Sequence, residues 1–396
     1  MKVNIRNNNI SHRVDFIDAL KGISLIFIGV FHYVHDLAYA GQRAVVGSIS
    51  TNLSRLFIFP MIAKTSLIAN LFAVISSIGW QYVGIFLALS GFTLTYSRIT
   101  KGDKGNFLKR RFSPFIPYFH FAIIFAFVIN FFSRKFFFLE PYIYQKMSLD
   151  FSHYLYLLFF PGVIDFTFQH ITVVNSSFWF IVLIFQFYFV FDILFYFLER
   201  LGWKKFLFWS IFLTLFLRFI FIYYFNNQPV AVAVNGTRAM TFFTLFPARL
   251  SEFALGMIMG YLFAYKKITI EKAKNIYHFI FFIIVWLLGL YSTFSIVGWI
   301  FSDTLLTFGL VYISAYLITY FDKSYLYKRL IFIGKYSLFV YLFHDQPITQ
   351  LFMPLTSVLN LYLGHLNLIY VFFVILTILW VYGLAFIGDF FTKKSS

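Results

Sequence analysis

The sequence contains no cysteine, and only 12% of its 396 residues are charged. The missing thiols exclude a cysteine nucleophile, a thiolate metal site, an iron–sulfur cluster and any disulfide. Soluble domains carry about 25% charged residues, so this chain lacks the polar cover that a water-exposed surface needs. A soluble enzyme and a disordered chain are therefore excluded.

The chain is rich in apolar residues: 61% are hydrophobic, and 61 are phenylalanine. A helix needs about 20 apolar residues to cross the hydrocarbon layer of a membrane. The sequence predicts an all-α polytopic membrane protein with about ten transmembrane helices, in one domain over residues 1–396. The predicted spans are 16–37, 78–97, 114–133, 178–198, 206–225, 248–265, 276–295, 299–320, 331–352 and 367–388. Segments 54–75 and 151–164 are interpreted as interfacial or re-entrant, and full insertion of either would change the count.

The basic residues predict how the protein is oriented. Most of the 32 lysines and arginines lie in short loops that these spans place on the same side as the N-terminus. Because cytoplasmic loops of membrane proteins are enriched in basic residues, both termini are predicted to be cytoplasmic, in a multi-pass protein of the cytoplasmic membrane. The net charge of +17 is thereby explained without nucleic acid as a partner. The polar N-terminus shows no signal-peptide pattern, so the first span is expected to remain.

The first predicted span carries the richest set of polar residues. Lys21 and His32 are eleven residues apart, which is about 16 Å and three turns of a helix, so they share nearly one face. Ionisable groups inside a span cost roughly 2.5–3.5 kcal/mol and are functional candidates by default. Lys21 can neutralise a phosphate, His32 can take a proton from a hydroxyl, and Asp36 can orient the His32 ring. Snorkelling of Lys21, helix packing by His32 and solvation of Asp36 are the alternatives.

Two other segments carry candidate site residues. In the ninth span, Tyr341 lies one turn before His344 and on its face, whereas Asp345 is rotated by about 100° from His344. The loop after the second span contains Arg110 and Arg111, which can bind phosphates. The alternative for this basic loop is orientation together with attraction to anionic lipid.

Further charged residues interrupt the predicted spans. Arg249 and Glu252 form an i,i+3 pair, interpreted as an internally neutralised ion pair that positions the sixth span. Arg218, Asp192 and Asp303 are interpreted as single charges, without the chained carboxylates that a proton pump needs. The sequence shows no constellation of metal ligands.

The order of short motifs along the chain resembles that of the acyltransferase-3 family of integral membrane acyltransferases. The motifs are spread from about residue 14 to residue 390, and their order is more specific than any one of them. They are Asp18-Ala-Leu-Lys21-Gly22, Lys21-x10-His32, Ser90-Gly91-Phe92, Arg110-Arg111, Phe178-Trp179-Phe180, Glu252-Phe-Ala-Leu-Gly256-Met, and Gly334-x-x-Ser337 followed by Tyr341-Leu-x-His344.

The resemblance implies an enzyme that takes an acyl group, often acetyl, from cytosolic acyl-CoA. The acceptor is expected to be a hydroxyl of an envelope carbohydrate, a glycolipid or a small molecule, and the alternative function is a permease or exporter of acylated or lipid-linked saccharides. His32 stands at the position of the family's essential histidine, and Lys21 at its arginine-or-lysine position. No tightly bound cofactor is expected, membrane lipids are the surrounding partners, and a homo-oligomer is left open.

The candidate residues then divide by expected role. His32 is the expected general base, with His344 and Tyr341 orienting the acceptor or stabilising the oxyanion. The expected acyl-CoA contacts are Lys21, Arg110, Arg111 and Ser90, and the expected supporting residues are Asp36, Arg249, Glu252 and Trp179.

The chain also departs from the family pattern. Members often carry a second basic residue three positions after the arginine of the basic loop, where this chain has Ser113 or Pro114. Many members have a glutamate shortly before a Gln-Phe-Tyr sequence, where Ile184 and Phe185 precede Gln186 here. These departures leave the class of acceptor open.

Overall fold

The computed structural model describes residues 7–39, 78–102, 105, 107–137, 151–159, 174–224, 233–234, 237–238, 245–265, 274–321, 324–363 and 366–394. These residues are almost entirely helical, apart from the two-residue antiparallel strands β1 (Ala233–Val234) and β2 (Thr237–Arg238). The helices are α1 (Asn7–Tyr39), α2 (Tyr82–Lys101), α3 (Phe107–Phe112), α4 (Phe115–Phe137), α5 (Phe151–Phe159), α6 (Trp179–Tyr223), α7 (Leu250–Ala264), α8 (Ile276–Ser292), α9 (Ser302–Tyr320), α10 (Tyr325–Lys335), α11 (Ser337–Phe343), α12 (Asp345–Pro347), α13 (Met353–Leu363) and α14 (Leu366–Lys394).

Six segments are long and apolar enough to cross a membrane. They are Asp15–Val34, Ile78–Lys101, Phe107–Ser133, Trp179–Tyr223, Ser302–Tyr320 and Leu368–Lys393. The protein is therefore an all-α, multi-pass membrane protein, as the sequence predicts. The predicted spans fall mainly on helix, but the count of about ten and the cytoplasmic termini stay predictions. Of the two interrupted segments, 54–75 lies outside the described residues, and 151–164 begins with the short helix α5.

Helix α6 joins two of the predicted spans in one 45-residue helical run. The expected loop between them is reduced to a break at Gly202, whose φ of 74° and ψ of 158° are not helical. Positive φ is costly for residues with a Cβ and is readily adopted by glycine. The break at Gly202 therefore allows the chain to change direction without a loop.

The ninth predicted span, 331–352, is not one continuous helix. It contains the end of α10, the short helices α11 and α12, and a π-helical turn at Ile348–Phe352. Pro347 explains part of this irregularity, because proline has no backbone N–H to donate and its ring crowds the carbonyl one turn earlier. Tyr341, His344 and Asp345 consequently lie on short segments around a break between α11 and α12.

Helices α2 and α7 touch through glycines. A Cβ on Gly256 would lie 1.7 Å from the carbonyl oxygen of Ala88, and a Cβ on Gly91 would lie 2.3 Å from that of Phe253. These distances leave no room for a side chain, so the two backbones are in direct contact. Small residues permit this close approach between membrane helices, where dispersion contacts replace the hydrophobic effect as the cause of packing.

The same kind of contact joins α1 to α10. A Cβ on Gly22 would meet the carbonyl oxygen of Leu330 at 2.0 Å, and a Cβ on Gly334 would meet that of Asp18 at 1.7 Å. Four glycines of the family-like motifs, namely Gly22, Gly91, Gly256 and Gly334, are thus points of contact between helices. Their role in this fold is to set the distance between α1 and α10 and between α2 and α7.

A cluster of four buried charged residues joins α6, α7 and α9. Arg218 is fully buried and donates to Asp303, and Arg249 donates to the same carboxylate at 2.5 Å. Arg249 also pairs with Glu252 at 2.8 Å, and Arg218 lies 4.0 Å from Glu252. The two guanidinium groups and the two carboxylates balance in charge, which lowers the cost of burying each of them.

This cluster corrects one prediction and extends another. Arg218 and Asp303 are not single charges, because they pair with each other across 85 positions of the sequence. Asp192 also has a partner, Arg98, at 3.3 Å. The pair of Arg249 and Glu252 is present, and it belongs to a larger network that sequence spacing alone did not reveal.

We expect Gly256→Ala to destabilise the protein, because its new methyl group would have to displace the backbone of α2. Overpacking of this kind costs roughly 1–3 kcal/mol. Gly383 is the matched control, since a Cβ there would meet nothing within 4 Å. Thermal unfolding of the purified protein in detergent should show a lower midpoint for Gly256→Ala and no decrease for Gly383→Ala. Equal midpoints for both variants would contradict direct backbone contact at Gly256.

We expect Arg218→Met to cost about 3–5 kcal/mol of stability, because it leaves a buried carboxylate without its full compensation. Adding Asp303→Asn restores neutrality, so the double variant should be more stable than Arg218→Met alone. Arg98→Met is the control, since Asp192 is largely exposed and a surface ion pair contributes about 0–1 kcal/mol. Thermal unfolding of the four proteins tests this, and a double variant weaker than Arg218→Met would contradict the charge balance.

Candidate active site

The site is centred on His32, which lies on α1 and contacts two side chains from distant parts of the sequence. Its Nε2 atom is 3.1 Å from the hydroxyl of Ser177, and its Nδ1 atom is 3.6 Å from Oδ1 of Asp345. Ser177 in turn donates a hydrogen bond of 2.8 Å to Oδ2 of Asp345. A hydroxyl, an imidazole and a carboxylate therefore form a closed triangle inside the helix bundle.

Ser177 lies in the helical turn Ser176–Phe178 that leads into α6. Asn175, two residues before Ser177, caps this turn. Its side-chain oxygen accepts a hydrogen bond of 2.9 Å from the backbone N–H of Ser177. The hydroxyl of Tyr341 donates to the carbonyl of Ser177 at 2.6 Å. Gln346 binds the same segment, because its side-chain amide donates a hydrogen bond of 2.6 Å to the carbonyl of Val174. The serine is thus fixed through both its backbone and its hydroxyl.

His344 lies beside His32, with the two ring centres 5.3 Å apart. Its Nδ1 atom is 2.7 Å from the carbonyl oxygen of Tyr341. Because a carbonyl only accepts, this nitrogen carries the proton, and Nε2 of His344 is left as an acceptor. Within the described part of the chain, that buried Nε2 atom has no hydrogen-bond partner.

The site is buried, with one side chain more accessible than the others. Ser177 and Asp345 are each 1% exposed and His344 is fully buried, whereas the side chain of His32 is 18% exposed. His32 is therefore the member of the group that a substrate meets first. The enclosure by protein also strengthens electrostatic interactions relative to those in water.

Two arrangements of protons satisfy the triangle. In one, His32 is protonated on both nitrogens, donating from Nε2 to Ser177 and pairing through Nδ1 with Asp345. In the other, His32 is neutral with its proton on Nδ1 facing Asp345, and the Ser177 hydroxyl turns to donate to Nε2. The heavy atoms need not move between the two arrangements, which differ by one proton on Nε2 of His32, so this nitrogen can take a proton from a hydroxyl without rearrangement of the group.

Three predicted site residues, His32, Tyr341 and His344, are brought together by the fold. Ser177 and Asp345 were missed as site residues. Helical spacing relates Asp345 only to His344, from which it is rotated, whereas in the fold the partner of Asp345 is His32. The one sequence signal for the Ser177 region is a helix start, because Asn-Ser-Ser before an apolar run is typical of an N-cap. The side chain of Asp36 lies outside the described residues.

The predicted phosphate-binding arginines lie in a separate, basic cavity of about 320 Å³. It lies between the end of α2, the helix α3 and the first half of α6. The lining residues are Leu94, Ser97, Arg98, Lys101, Gly102, Phe107, Arg110, Arg111 and Phe191. Four of these side chains are cationic, and an acidic residue, Asp192, pairs with Arg98 at the edge. The cavity is suited to an anion such as a phosphate group.

The basic cavity is well separated from the His32 group along α2. Tyr82 at the start of α2 stacks on Phe27, with ring centres 4.4 Å apart, and Phe27 is five residues before His32. Arg98 lies sixteen residues further along α2, which is about 24 Å at 1.5 Å per residue. A ligand that engaged both places would need an anionic end and a long arm.

The remaining predicted site residues have contacts of their own. Lys21 forms an ion pair of 3.1 Å with Asp18, and Ser90 donates to the carbonyl of Phe86, one turn earlier on α2, at 2.9 Å. Trp179 is the first residue of α6, two positions after Ser177. Arg249 and Glu252 belong to the buried charge cluster and are engaged there. The described contacts of these five residues do not join them to the His32 group.

Comparison with known proteins identifies the family of this chain. A family model described as an acyltransferase domain matches residues 14–386. No curated protein and no solved structure matches the chain. The model covers nearly the whole chain, including α1 with His32, the turn with Ser177, and the segment with Tyr341, His344 and Asp345. The protein therefore belongs to the acyltransferase-3 family of membrane acyltransferases.

Proposed function

We propose that the protein transfers an acyl group, most simply acetyl, from cytosolic acyl-CoA to a hydroxyl group. The acceptor would be an envelope carbohydrate, a glycolipid or a small molecule, at the cytoplasmic membrane. The observation that carries this proposal is the hydrogen-bonded group of His32, Ser177 and Asp345, buried in a chain that belongs to an acyltransferase family. Acyl transfer to a hydroxyl needs a base that can remove its proton, and a positioned imidazole is the usual one.

The separation between the two candidate sites supports acyl-CoA as the donor. Coenzyme A carries phosphates at one end and its thioester at the end of a long, flexible arm. The basic cavity would hold the phosphates through Arg110 and Arg111. Lys21, which does not line the cavity, would be a further cation on the path of the donor. The arm would then extend along α2 toward the level of His32. Binding energy from the phosphates would serve to position the thioester at the reacting group.

The residues around His32 have distinct proposed roles. His32 acts as general base, and Asp345 holds its ring and stabilises the imidazolium that forms. His344 offers an unpaired acceptor atom and orients the hydroxyl of the acceptor. Tyr341 donates to the backbone carbonyl of Ser177 and would thereby hold the serine in place relative to the two histidines. Ser90 and Trp179 would shape the path of the acyl arm.

We expect His32→Ala to reduce the rate of acyl transfer by roughly 10²–10⁴-fold, which is the usual contribution of general-base catalysis. Release of CoA thiol reports the reaction directly, since the protein has no cysteine of its own. The assay uses protein reconstituted in lipid, acetyl-CoA and an envelope extract as the source of acceptor. His278→Ala is the control, because His278 is exposed on α8.

A His32→Ala variant that folds and turns over at the wild-type rate would remove His32 from the chemistry. If the wild-type protein neither binds acetyl-CoA nor releases CoA, the acyltransferase proposal fails, and the permease or exporter becomes the better interpretation. Binding of acetyl-CoA without release would instead contradict acetyl transfer to the acceptors present in the extract.

We expect loss of the cavity arginines to weaken acyl-CoA binding more than it slows the bound enzyme. A hydrogen bond to a charged group contributes about 1.5–3 kcal/mol, so Arg110→Gln or Arg111→Gln should raise the half-saturating acyl-CoA concentration roughly tenfold or more. Lys204→Gln on α6 is the control, because Lys204 is exposed and does not line the cavity. An unchanged half-saturating concentration in both arginine variants would contradict phosphate binding there.

A further inference from the structure

Ser177 is held beside His32 by contacts of both its hydroxyl and its backbone. Its Oγ atom contacts both His32 and Asp345, its N–H donates to Asn175, and its carbonyl accepts from Tyr341. The two backbone contacts belong to the start of the helix, whereas capping and packing of the helix require neither of the two contacts made by the Oγ atom. The Ser177 hydroxyl lies at hydrogen-bond distance from the imidazole of His32, and the carboxylate of Asp345 faces the other side of that ring. This is the arrangement of an activated nucleophile.

We propose that Ser177 is a nucleophile that carries the acyl group as an ester between coenzyme A and the acceptor. This inference rests on the proposed acyltransferase function and deepens it, because it divides the transfer into two steps. The acyl group would move first to the protein and then to the acceptor hydroxyl. Donor and acceptor would therefore not have to occupy the site together.

The first step balances with the groups at the site. The Ser177 oxygen bonds to the thioester carbonyl carbon while its proton passes to Nε2 of His32. The carbon–sulfur bond then breaks, and the imidazolium of His32 returns that proton to the leaving thiolate, so CoA departs as a free thiol. Asp345 remains ionised throughout and stabilises the imidazolium through Nδ1. The neutral arrangement of His32, with the Ser177 hydroxyl turned toward Nε2, is the starting state.

The second step reverses these roles with a new nucleophile. The acceptor hydroxyl gives its proton to His32 as its oxygen bonds to the acyl carbon. The ester bond to Ser177 breaks, and His32 returns the proton to the serine oxygen. The acceptor leaves as an acyl ester, and the serine is restored.

Two buried polar atoms of the site could form hydrogen bonds with the oxyanion and with the acceptor hydroxyl. Nδ2 of Asn175, a donor, and Nε2 of His344, an acceptor, are without hydrogen-bond partners in the described part of the chain. An unpaired buried polar group costs about 1–3 kcal/mol, so a substrate group that hydrogen-bonded to either atom would recover part of that cost. The Asn175 amide adjoins Ser177 and is suited to the oxyanion, and Nε2 of His344 is suited to the acceptor hydroxyl.

The direct test is to supply donor without acceptor. Purified wild-type protein mixed with acetyl-CoA should release a burst of about one CoA per protein molecule, and peptide mass spectrometry should find one acetyl group on Ser177. Ser177→Ala should show neither the burst nor the label. Ser210→Ala is the matched control, since Ser210 is also buried and lies on α6, outside this group. It should behave as the wild type does.

The Ser177→Cys variant tests whether residue 177 is a nucleophile or only positions its neighbours. The new thiol would be the only one in the protein, and its acyl adduct would be a thioester, cleaved by neutral hydroxylamine far faster than the serine ester. CoA release is followed by chromatography for this variant. An acyl group on the cysteine supports the nucleophile, and thermal unfolding of each variant identifies any that fails to fold.

The outcomes distinguish this inference from the function on which it rests. Wild-type protein that turns over with acceptor but shows no burst and no label would overturn the nucleophile and leave the acyltransferase intact. A folded Ser177→Ala variant with wild-type turnover would do the same. Absence of CoA release with and without acceptor would overturn the proposed function and the nucleophile together.

Discussion

Backbone contact between α1 and α10 determines where the parts of the site lie relative to one another. Gly22 and Gly334 each face a carbonyl of the opposite helix, and no side chain separates the two backbones. Because one residue advances a helix by 1.5 Å, sliding either helix by a single position would bring a Cβ into those carbonyls. Helix α11 begins two residues after α10 ends, and α12 follows at Asp345. The approach of Asp345 to His32 therefore depends on a contact several turns away.

Polar groups inside the bundle are of two kinds. The cluster around Arg218 and Asp303 balances two cations with two anions, and its hydrogen bonds link α6, α7 and α9 into one unit. The group around His32 keeps a donor on Asn175 and an acceptor on His344 unpaired among the described residues. The charge cluster also contains atoms without a hydrogen-bond partner in the described ranges, so the two groups differ in their chemistry: one balances ions between helices, whereas the other presents an imidazole acceptor and an amide donor to a substrate. Burial alone would not separate these two cases.

The helical, membrane-spanning character of the chain was predictable because hydrophobic length is a direct requirement of the bilayer, whereas the break within 331–352 and the joining of two spans at Gly202 were not. His32, Tyr341 and His344 were also predictable, since a polar residue in an apolar run is conspicuous and helical spacing assigns its face. Ser177 was not, because a serine at a helix start is ordinary and its partners lie 145 and 168 residues away. The pairing of Arg218 with Asp303 was missed for the same reason. Spacing describes one helix at a time, whereas these contacts depend on how helices pack.

The chain folds as it is made, and the buried charge cluster imposes an order on that process. Arg218 is synthesised before Asp303, because the two are 85 residues apart. At about 5–20 residues per second, the ribosome needs roughly 4–17 s to supply the partner. During that interval Arg218 lacks its carboxylate partner, and an unpaired arginine inside an apolar segment is unfavourable. Pairing with Asp303 removes this cost only once α9 has been made, so the packing of α9 against the second half of α6 is a late step in the assembly of the bundle.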